Sequence, residues 1–200
     1  MRQTVYTKYI KSVLDRLLGL LGLVCTLWLW ALIAVVIVID DPGPVLFRQR
    51  RVGMRKNGEL TCFNILKFRT MRVDTPPDVP SHPLENPERH ITRAGRFLRR
   101  WSLDELPQLW NIAITHDLSV VGPRPALRNQ NDLIALRDLS GANDLRPGLT
   151  GWAQVNGRDE LDTERKAAFD GEYVRRVGFL FDCRCVLRTI GVVLRADGVR

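Results

Sequence analysis

Two carboxylates stand side by side in Ser102-Leu103-Asp104-Glu105-Leu106-Pro107, with Arg96, Arg99 and Arg100 just upstream. Read locally, Ser102 and Glu105 have the Ser-x-x-Glu spacing of a capping box, ahead of Leu106, Leu109 and Trp110. Pro107 disturbs that reading, because inside a first turn it moves the helix start or deletes a backbone hydrogen bond. A carboxylate at a helix start among arginines stays ionised and sits where phosphate also binds, as a nucleophile for phosphoryl chemistry requires. Asp104 is therefore the candidate nucleophile, with Glu105 beside it.

Two like charges about 4 Å apart repel by about 4 kcal/mol at an effective dielectric of 20, so a carboxylate that attacks a phosphate needs cations around it. The candidates are Lys67 and Arg69 in Leu66-Lys67-Phe68-Arg69-Thr70-Met71, then Arg99, Arg124, Arg146 and Arg158. A Mg²⁺ ion held through carboxylates would complete the set. For any one arginine, a solvated surface position is the plainer alternative. Arg124 stands between Pro123 and Pro125, which fix its direction. The stretch from Arg146 to Arg158 is polar and punctuated by glycine, so its backbone N–H groups could approach an anion. Trp152, Gln154, Asn156 and Arg158 offer stacking and hydrogen bonds of the kind a nucleotide uses, although a structural turn cluster would look the same.

These residues need a scaffold. The chain has 200 residues, 30 Lys and Arg against 22 Asp and Glu, a net charge of +8 and 45% hydrophobic residues. That composition excludes collagen-like, low-complexity and disulfide-framework proteins and points to one domain with an attachment. From Leu17 to Ile39 no side chain is charged, a run of about 23 residues and about 35 Å as a helix, which is membrane length. It is too long for a signal-peptide core and is followed by Asp40-Asp41-Pro42-Gly43-Pro44 rather than a cleavage site. Lys8, Lys11 and Arg16 precede it and Arg48, Arg50, Arg51, Arg55 and Lys56 follow, so a single crossing would carry one basic cluster to the wrong side. A helix that dips into one leaflet and returns avoids this but needs a break, and no proline lies between Arg16 and Pro42. Both courses stay open.

Residues 1–41 thus form a membrane-associated segment and residues 42–200 a catalytic domain. Within the latter, Val45 to Arg48 and Leu60 to Phe68 suggest a hairpin around Lys56-Asn57-Gly58-Glu59, and the prolines from Pro76 to Pro87 suggest a loop. Helices are expected over Arg96–Trp110, Leu127–Leu139, Thr163–Val177 and Phe179–Arg195. The last carries Cys183, Val186, Leu187, Ile190, Val193 and Leu194 on one face, with Arg184, Arg188 and Arg195 on its flank. It would pack on the core or lie in a membrane interface. Cys25, Cys62, Cys183 and Cys185 read as reduced, and neither they nor His82, His90 and His116 have metal-ligand spacing.

Joined together, several segments resemble the bacterial sugar transferase family, the monotopic phosphoglycosyl transferases. They are the N-terminal apolar run, Phe47–Gly53, Lys67–Met71, Ser102–Leu109, Asp117–Pro125 and Arg146–Arg158. The resemblance implies transfer of a sugar-1-phosphate from a UDP-sugar to undecaprenyl phosphate, with UMP released, at the cytoplasmic face of the bacterial inner membrane. It makes Asp104 the nucleophile of a ping-pong cycle with Mg²⁺, and Glu105 its metal or acid–base helper. Lys67, Arg99, Pro123, Arg124, Arg146, Gln154, Asn156 and Arg158 fall on phosphate- and nucleotide-binding positions. The implied fold is α+β and mostly helical, a compact domain with a small β-hairpin and interfacial helices behind a re-entrant membrane helix. Two positions depart from the family. Trp28-Leu29 stands where the family has a mid-helix Ser-Pro pair, and His116 stands where it has Gly. The apolar helix could also serve a homodimer. A membrane-tethered basic protein gripping anionic lipid or nucleic acid is the competitor from another class, and a Mg²⁺-dependent phosphohydrolase is a third reading. The transferase reading expects no nucleic-acid partner.

Overall fold

The computed structural model describes residues 4–75, 87–157 and 160–195. The expected loop from Pro76 to Pro87, with His82, lies outside the described residues except for Pro87, which opens a 3₁₀ turn (Pro87–His90), and the candidate Arg158 lies outside them too.

The apolar run forms α1 (Lys11–Asp40), entered through a wide π turn at Tyr6–Ile10. Together they make one helix of 35 residues with no interruption. The break that a re-entrant course demands is therefore absent at Trp28-Leu29, as expected where no proline removes a backbone donor. One stripe of α1 is buried, Asp15, Gly19, Leu23, Ile33 and Ile37, at the three- and four-residue spacing of a single helix face.

That stripe is covered by chain running antiparallel to it. Asp40 at the end of α1 accepts a hydrogen bond from the Ala94 N–H (2.7 Å), and Ile33 and Ile37 pack with Phe68 and Leu98. Gly22 meets Leu109 and Gly19 meets Ile112, so closely that a β-carbon on Gly19 would lie 2.8 Å from the Ile112 side chain. At the start of α1, the buried Asp15 carboxylate accepts from Ser119 Oγ (2.7 Å) and the Val120 N–H (3.1 Å). The chain from Ala94 to Val120 thus returns along the whole helix.

The expected hairpin is present and longer than its sequence signal. Strand β1 (Leu46–Lys56) pairs antiparallel with β2 (Glu59–Phe68), the basic stretch through Lys56 being strand. Asn57 and Gly58 both take positive φ, 53° and 85°, the pattern of a tight primed turn. One helix over Arg96–Trp110 is not what forms. Instead α2 (Arg93–Arg100) ends, Ser102 turns left-handed (φ 54°), and a 3₁₀ turn (Leu103–Glu105) leads through Pro107 into α3 (Gln108–Trp110) and a π turn at Asn111–Thr115. The capping box does not form. The Glu105 N–H donates to the Ser102 carbonyl oxygen (3.2 Å), while the Glu105 carboxylate is turned to cations. The π turn ends at His116, left-handed at φ 57°, which accounts for glycine being the easier residue at that position.

Two loop segments prove to hold a second sheet, β3 (Ser119–Val121) parallel to β4 (Gly148–Thr150). A β-carbon on Gly148 would sit 2.1 Å from the Gly122 nitrogen, and one on Gly151 2.0 Å from the Gly122 carbonyl oxygen. These glycines admit a backbone rather than an anion. The Gly122 N–H donates to Thr150 O (2.8 Å) and the Gly148 N–H to Pro123 O (2.9 Å).

Helix α4 (Asn131–Ser140) begins later than expected, α5 (Thr163–Arg176) starts at its Asp162 cap, and α6 (Phe179–Arg195) has its expected span. On α6 the core takes Phe181 and Cys185, which join Val121, Trp152 and Tyr173. Leu187 and Ile190, from the expected apolar face, stay exposed, as do Arg184 and Arg188. All four cysteines are free thiols. The fold is α+β and mostly helical, with two two-stranded sheets among the described residues.

Candidate active site

The 3₁₀ turn points its residues two ways. Leu103 and Leu106 pack toward α1 among Ile33, Ile37, Phe68 and Leu98, so Asp104 and Glu105 face the other side, toward β2 and the Pro123-Arg124-Pro125 loop. Pro107, buried and unable to donate, lets the turn change direction there. Lys67, near the end of β2, places Nζ 2.8 Å from Glu105 Oε1 and 3.9 Å from Asp104 Oδ2. Arg124 Nη2 donates to the same Glu105 oxygen at 2.9 Å.

The three cations of the site are each braced. Pro123 and Pro125 are buried on either side of Arg124, whose carbonyl oxygen accepts from Arg137 Nη1 (2.9 Å), while Pro125 O accepts from Arg51 Nη1 (3.1 Å). Arg137 is buried against Asp170 (Nη2–Oδ2 2.6 Å). Arg99 Nε donates to Thr70 Oγ1 (2.9 Å), and the Thr70 carbonyl lies so close to Gly95 that a β-carbon there would sit 2.1 Å from its oxygen. Asn111 clamps β2 next to Lys67, donating to Asn64 O and accepting from the Leu66 N–H, both at 2.9 Å.

The two carboxylates are driven apart electrostatically. Burial raises the Asp104 carboxyl above the usual aspartate value, Glu105 pushes the same way, and Lys67, Arg99 and Arg124 oppose it. Burial would raise Glu105 too, but Arg124 and Lys67, through charge and hydrogen bonds, hold it well below the usual glutamate range. Of the expected setting, a carboxylate among arginines at a helix start, the helix start is corrected. The turn is too short to supply a helix terminus, and desolvation outweighs the cations. Glu105 is the fixed anion. Asp104 is a desolvated carboxylate whose ion-pair partner among the described residues is Lys67, at 3.9 Å. Desolvation leaves its ionised form reactive, because no water must be stripped before attack.

The remaining expected residues lie elsewhere. Arg69 is buried at the end of α1, donating to Pro44 O (2.6 Å) and paired with Asp41, away from the dyad. Arg146 reaches Ser12 Oγ (3.4 Å) at the start of α1, and burial lowers its pKa. Trp152 is a core residue whose Nε1 donates to Glu172 (2.8 Å), so its ring is not offered to a base. Gln154 is buried, donating to Leu149 O (3.4 Å), and Asn156 donates to Trp152 O (2.7 Å) and accepts from Arg188 (3.3 Å). The sequence reading missed the braces, Thr70, Asn111, Arg137 and Asp170. A polar Asn111 among Leu109, Trp110 and Ile112 was the available signal.

No cluster of three or more His, Cys, Asp or Glu occurs among the described residues. Mg²⁺ does not require one. It is commonly bound by one or two carboxylates together with substrate phosphates and water. Asp104 and Glu105 fit that donor set, with Lys67 and Arg124 engaging one oxygen of Glu105.

Comparison with known proteins adds an independent finding. The profile of the bacterial sugar transferases matches residues 6–196. The UDP-glucose:undecaprenyl-phosphate glucose-1-phosphate transferase of Escherichia coli is 40% identical over 165 residues, covering 79% of this chain and 34% of that protein. The enzyme of the same name from Xanthomonas campestris is 38% identical over 92% of this chain and 38% of its own length. An uncharacterized sugar transferase of Bacillus subtilis, EpsL, is 34% identical over 96% of this chain and 90% of its own. The chain spans little more than a third of the first two, and by the family match over residues 6–196, which takes in α1, the dyad and its cations, it belongs to the bacterial sugar transferase family.

Proposed function

We propose that this chain transfers a sugar-1-phosphate from a UDP-sugar to undecaprenyl phosphate and releases UMP, the first step of building a lipid-linked glycan. The observation that carries the reading is the split pair at Asp104 and Glu105, a desolvated carboxylate beside one already neutralised by Lys67 and Arg124. The family supports it, and relatives are named for this reaction.

In the first half-reaction an Asp104 oxygen attacks the β-phosphorus, the bond from that phosphorus to the bridging oxygen breaks, and UMP leaves with the electron pair. The sugar phosphate is then esterified to Asp104. In the second, a phosphate oxygen of undecaprenyl phosphate attacks the same phosphorus and Asp104 leaves, regenerated as carboxylate. Lys67, Arg99 and Arg124 hold the diphosphate and offset its repulsion from the attacking carboxylate. Mg²⁺, held by Asp104 and Glu105 with the substrate's phosphates, would neutralise charge on the leaving group. The apolar α1 supports a membrane setting for the reaction, and the acceptor's phosphate would be met at the cytoplasmic face of the inner membrane.

The test is UMP release from a panel of UDP-sugars by detergent-solubilised protein with Mg²⁺, with and without undecaprenyl phosphate, beside Asp104→Asn. Multiple turnovers only with the lipid, at most one UMP per enzyme without it, and none from the variant are expected. Equal release without lipid would make the protein a phosphohydrolase, and an active Asp104→Asn would remove the nucleophile assignment.

A further inference from the structure

We propose that Gln49 binds the sugar of the UDP-sugar donor, its carboxamide N–H donating to a hydroxyl oxygen of the hexose carried by the attacked phosphorus. This rests on the transferase reading above and adds a residue that recognises the transferred group.

Strand pairing places Gln49 beside the dyad. Directly opposed residues of an antiparallel pair share a face, so Phe47, Gln49 and Arg51 on β1 stand on the same face as Lys67, Ile65 and Phe63 on β2. That is the face from which Lys67 reaches Glu105 and Asp104. Gln49 is opposite Ile65 and therefore diagonal to Lys67, with about 7 Å between their Cβ atoms. Its other side is tied to the loop of Arg124. Arg51 donates from Nη1 to Pro125 O (3.1 Å) and from Nε and Nη2 to Gln49 Oε1 (3.0 and 2.6 Å). Since Lys67 and Arg124 meet at Glu105 Oε1 (2.8 and 2.9 Å), the contacts run from the dyad round to Gln49 and back to Lys67 as a ring.

Arg51 also orients the amide. A guanidinium only donates, so its two bonds hold the amide oxygen of Gln49 toward Arg51 and turn the NH₂ group away from it. Nε2 makes no hydrogen bond among the described residues, and the side chain is half-buried rather than enclosed. It is a neutral, fixed donor in a site otherwise furnished with cations.

The reaction names the acceptor. The charge of the diphosphate is matched by Lys67, Arg99 and Arg124, whereas a hexose is uncharged and is told apart by hydrogen bonds to its hydroxyls. In-line displacement puts Asp104 and the departing UMP at opposite ends of an axis through the phosphorus, with the sugar oxygen to the side of that axis. Lys67 flanks Asp104 at 3.9 Å, so the strand face carrying Lys67 and Gln49 is a side wall of the axis. A sugar lying on that side meets the Gln49 amide, while the nucleotide leaves from the far end.

The experiment compares the full wild-type chain with Gln49→Met in the UMP-release assay with undecaprenyl phosphate. The donors are the UDP-hexose that the wild type turns over fastest and its monodeoxy analogues, each lacking one hydroxyl. In the wild type, one analogue should lose about tenfold or more in kcat/KM, because its absence leaves Nε2 without an acceptor. Gln49→Met should lose a similar factor on the parent sugar and should separate it from that analogue by less than about threefold, while its ratios for the other analogues stay as in the wild type. A residue that only seats Arg51 would lower the rate on every donor alike. Such a uniform loss would overturn the inference, as would a variant that still discriminates as the wild type does. Gln49→Ala repeats the comparison where Gln49→Met fails to fold. A wild type that releases no UMP from any UDP-sugar would overturn the transferase reading and this inference with it; an active transferase whose sugar preference ignores Gln49 would overturn this inference alone.

Discussion

Replacing Lys67 by methionine removes one charge while keeping the length of the side chain. Its Nζ stands 3.9 Å from Asp104 Oδ2 and 2.8 Å from Glu105 Oε1, and the side chain is 18% exposed. At 3.9 Å and an effective dielectric of 20 the attraction to Asp104 is about 4 kcal/mol, and partial solvent screening brings the usable part to about 2–4 kcal/mol. If that cation also faces the incoming phosphate, its loss should slow UMP release about 30- to 1000-fold. The pH dependence carries a sign. Burial raises the Asp104 pKa and Lys67 opposes the rise, so the variant's pKa should be higher still. Since attack needs the ionised form, the acid limb of the rate profile should move to higher pH, and the loss should be greatest at the acid end. Glu105 keeps Arg124 and remains ionised, so the limb belongs to Asp104. Initial rates of UMP release across pH 5–9 test this, with Lys67→Arg expected to restore part of the rate. An unmoved acid limb together with a loss under about threefold would refute the assignment of Lys67 to the dyad.

Two further changes test the braces. Asp170→Ala leaves the buried Arg137 guanidinium without its carboxylate and should cost about 3–5 kcal/mol, read as a lower denaturant midpoint at unchanged slope; a cost below about 1 kcal/mol would contradict the buried pair. Gly95→Ala drives a β-carbon to 2.1 Å from the Thr70 carbonyl oxygen, which must push α2 away and with it Arg99 from Thr70 Oγ1. Such a shift should lower both the melting temperature and the rate, the latter by about tenfold or more, and a wild-type rate would show that Arg99 needs no such seat.

What could be read in advance was what depends on neighbours in sequence. Asn57-Gly58 marked the hairpin turn, the amphipathic period marked α6, and Asp104, Glu105, Lys67 and Arg124, singled out as candidates, do meet at one place. Quantities set by distant partners were not. Gly148 and Gly151 looked like an anion cradle, because the sequence shows that backbone is bare there without showing what approaches it; a second backbone, at Gly122, does. Trp152 looked available for stacking, yet whether an indole faces a ligand or a core is decided by Tyr173 and Phe181, residues some twenty and more further along.

The dyad shows the same limit most sharply. Adjacency to arginines predicted a stabilised carboxylate, and one is present, but it is Glu105. A turn of three residues sends the two neighbours into different surroundings, Glu105 onto Lys67 and Arg124 at hydrogen-bond distance and Asp104 into a place where desolvation prevails. An anion so strongly bound is poorly suited to attack, since its charge is already compensated by two cations hydrogen-bonded to one of its oxygens. In the proposed reaction the less compensated Asp104, with Lys67 Nζ at 3.9 Å, is the one left to attack the phosphorus. Under the proposed mechanism the turn thereby separates the roles, and Glu105 would serve Asp104 by holding in place Lys67 and Arg124, the cations that a substrate phosphate would meet.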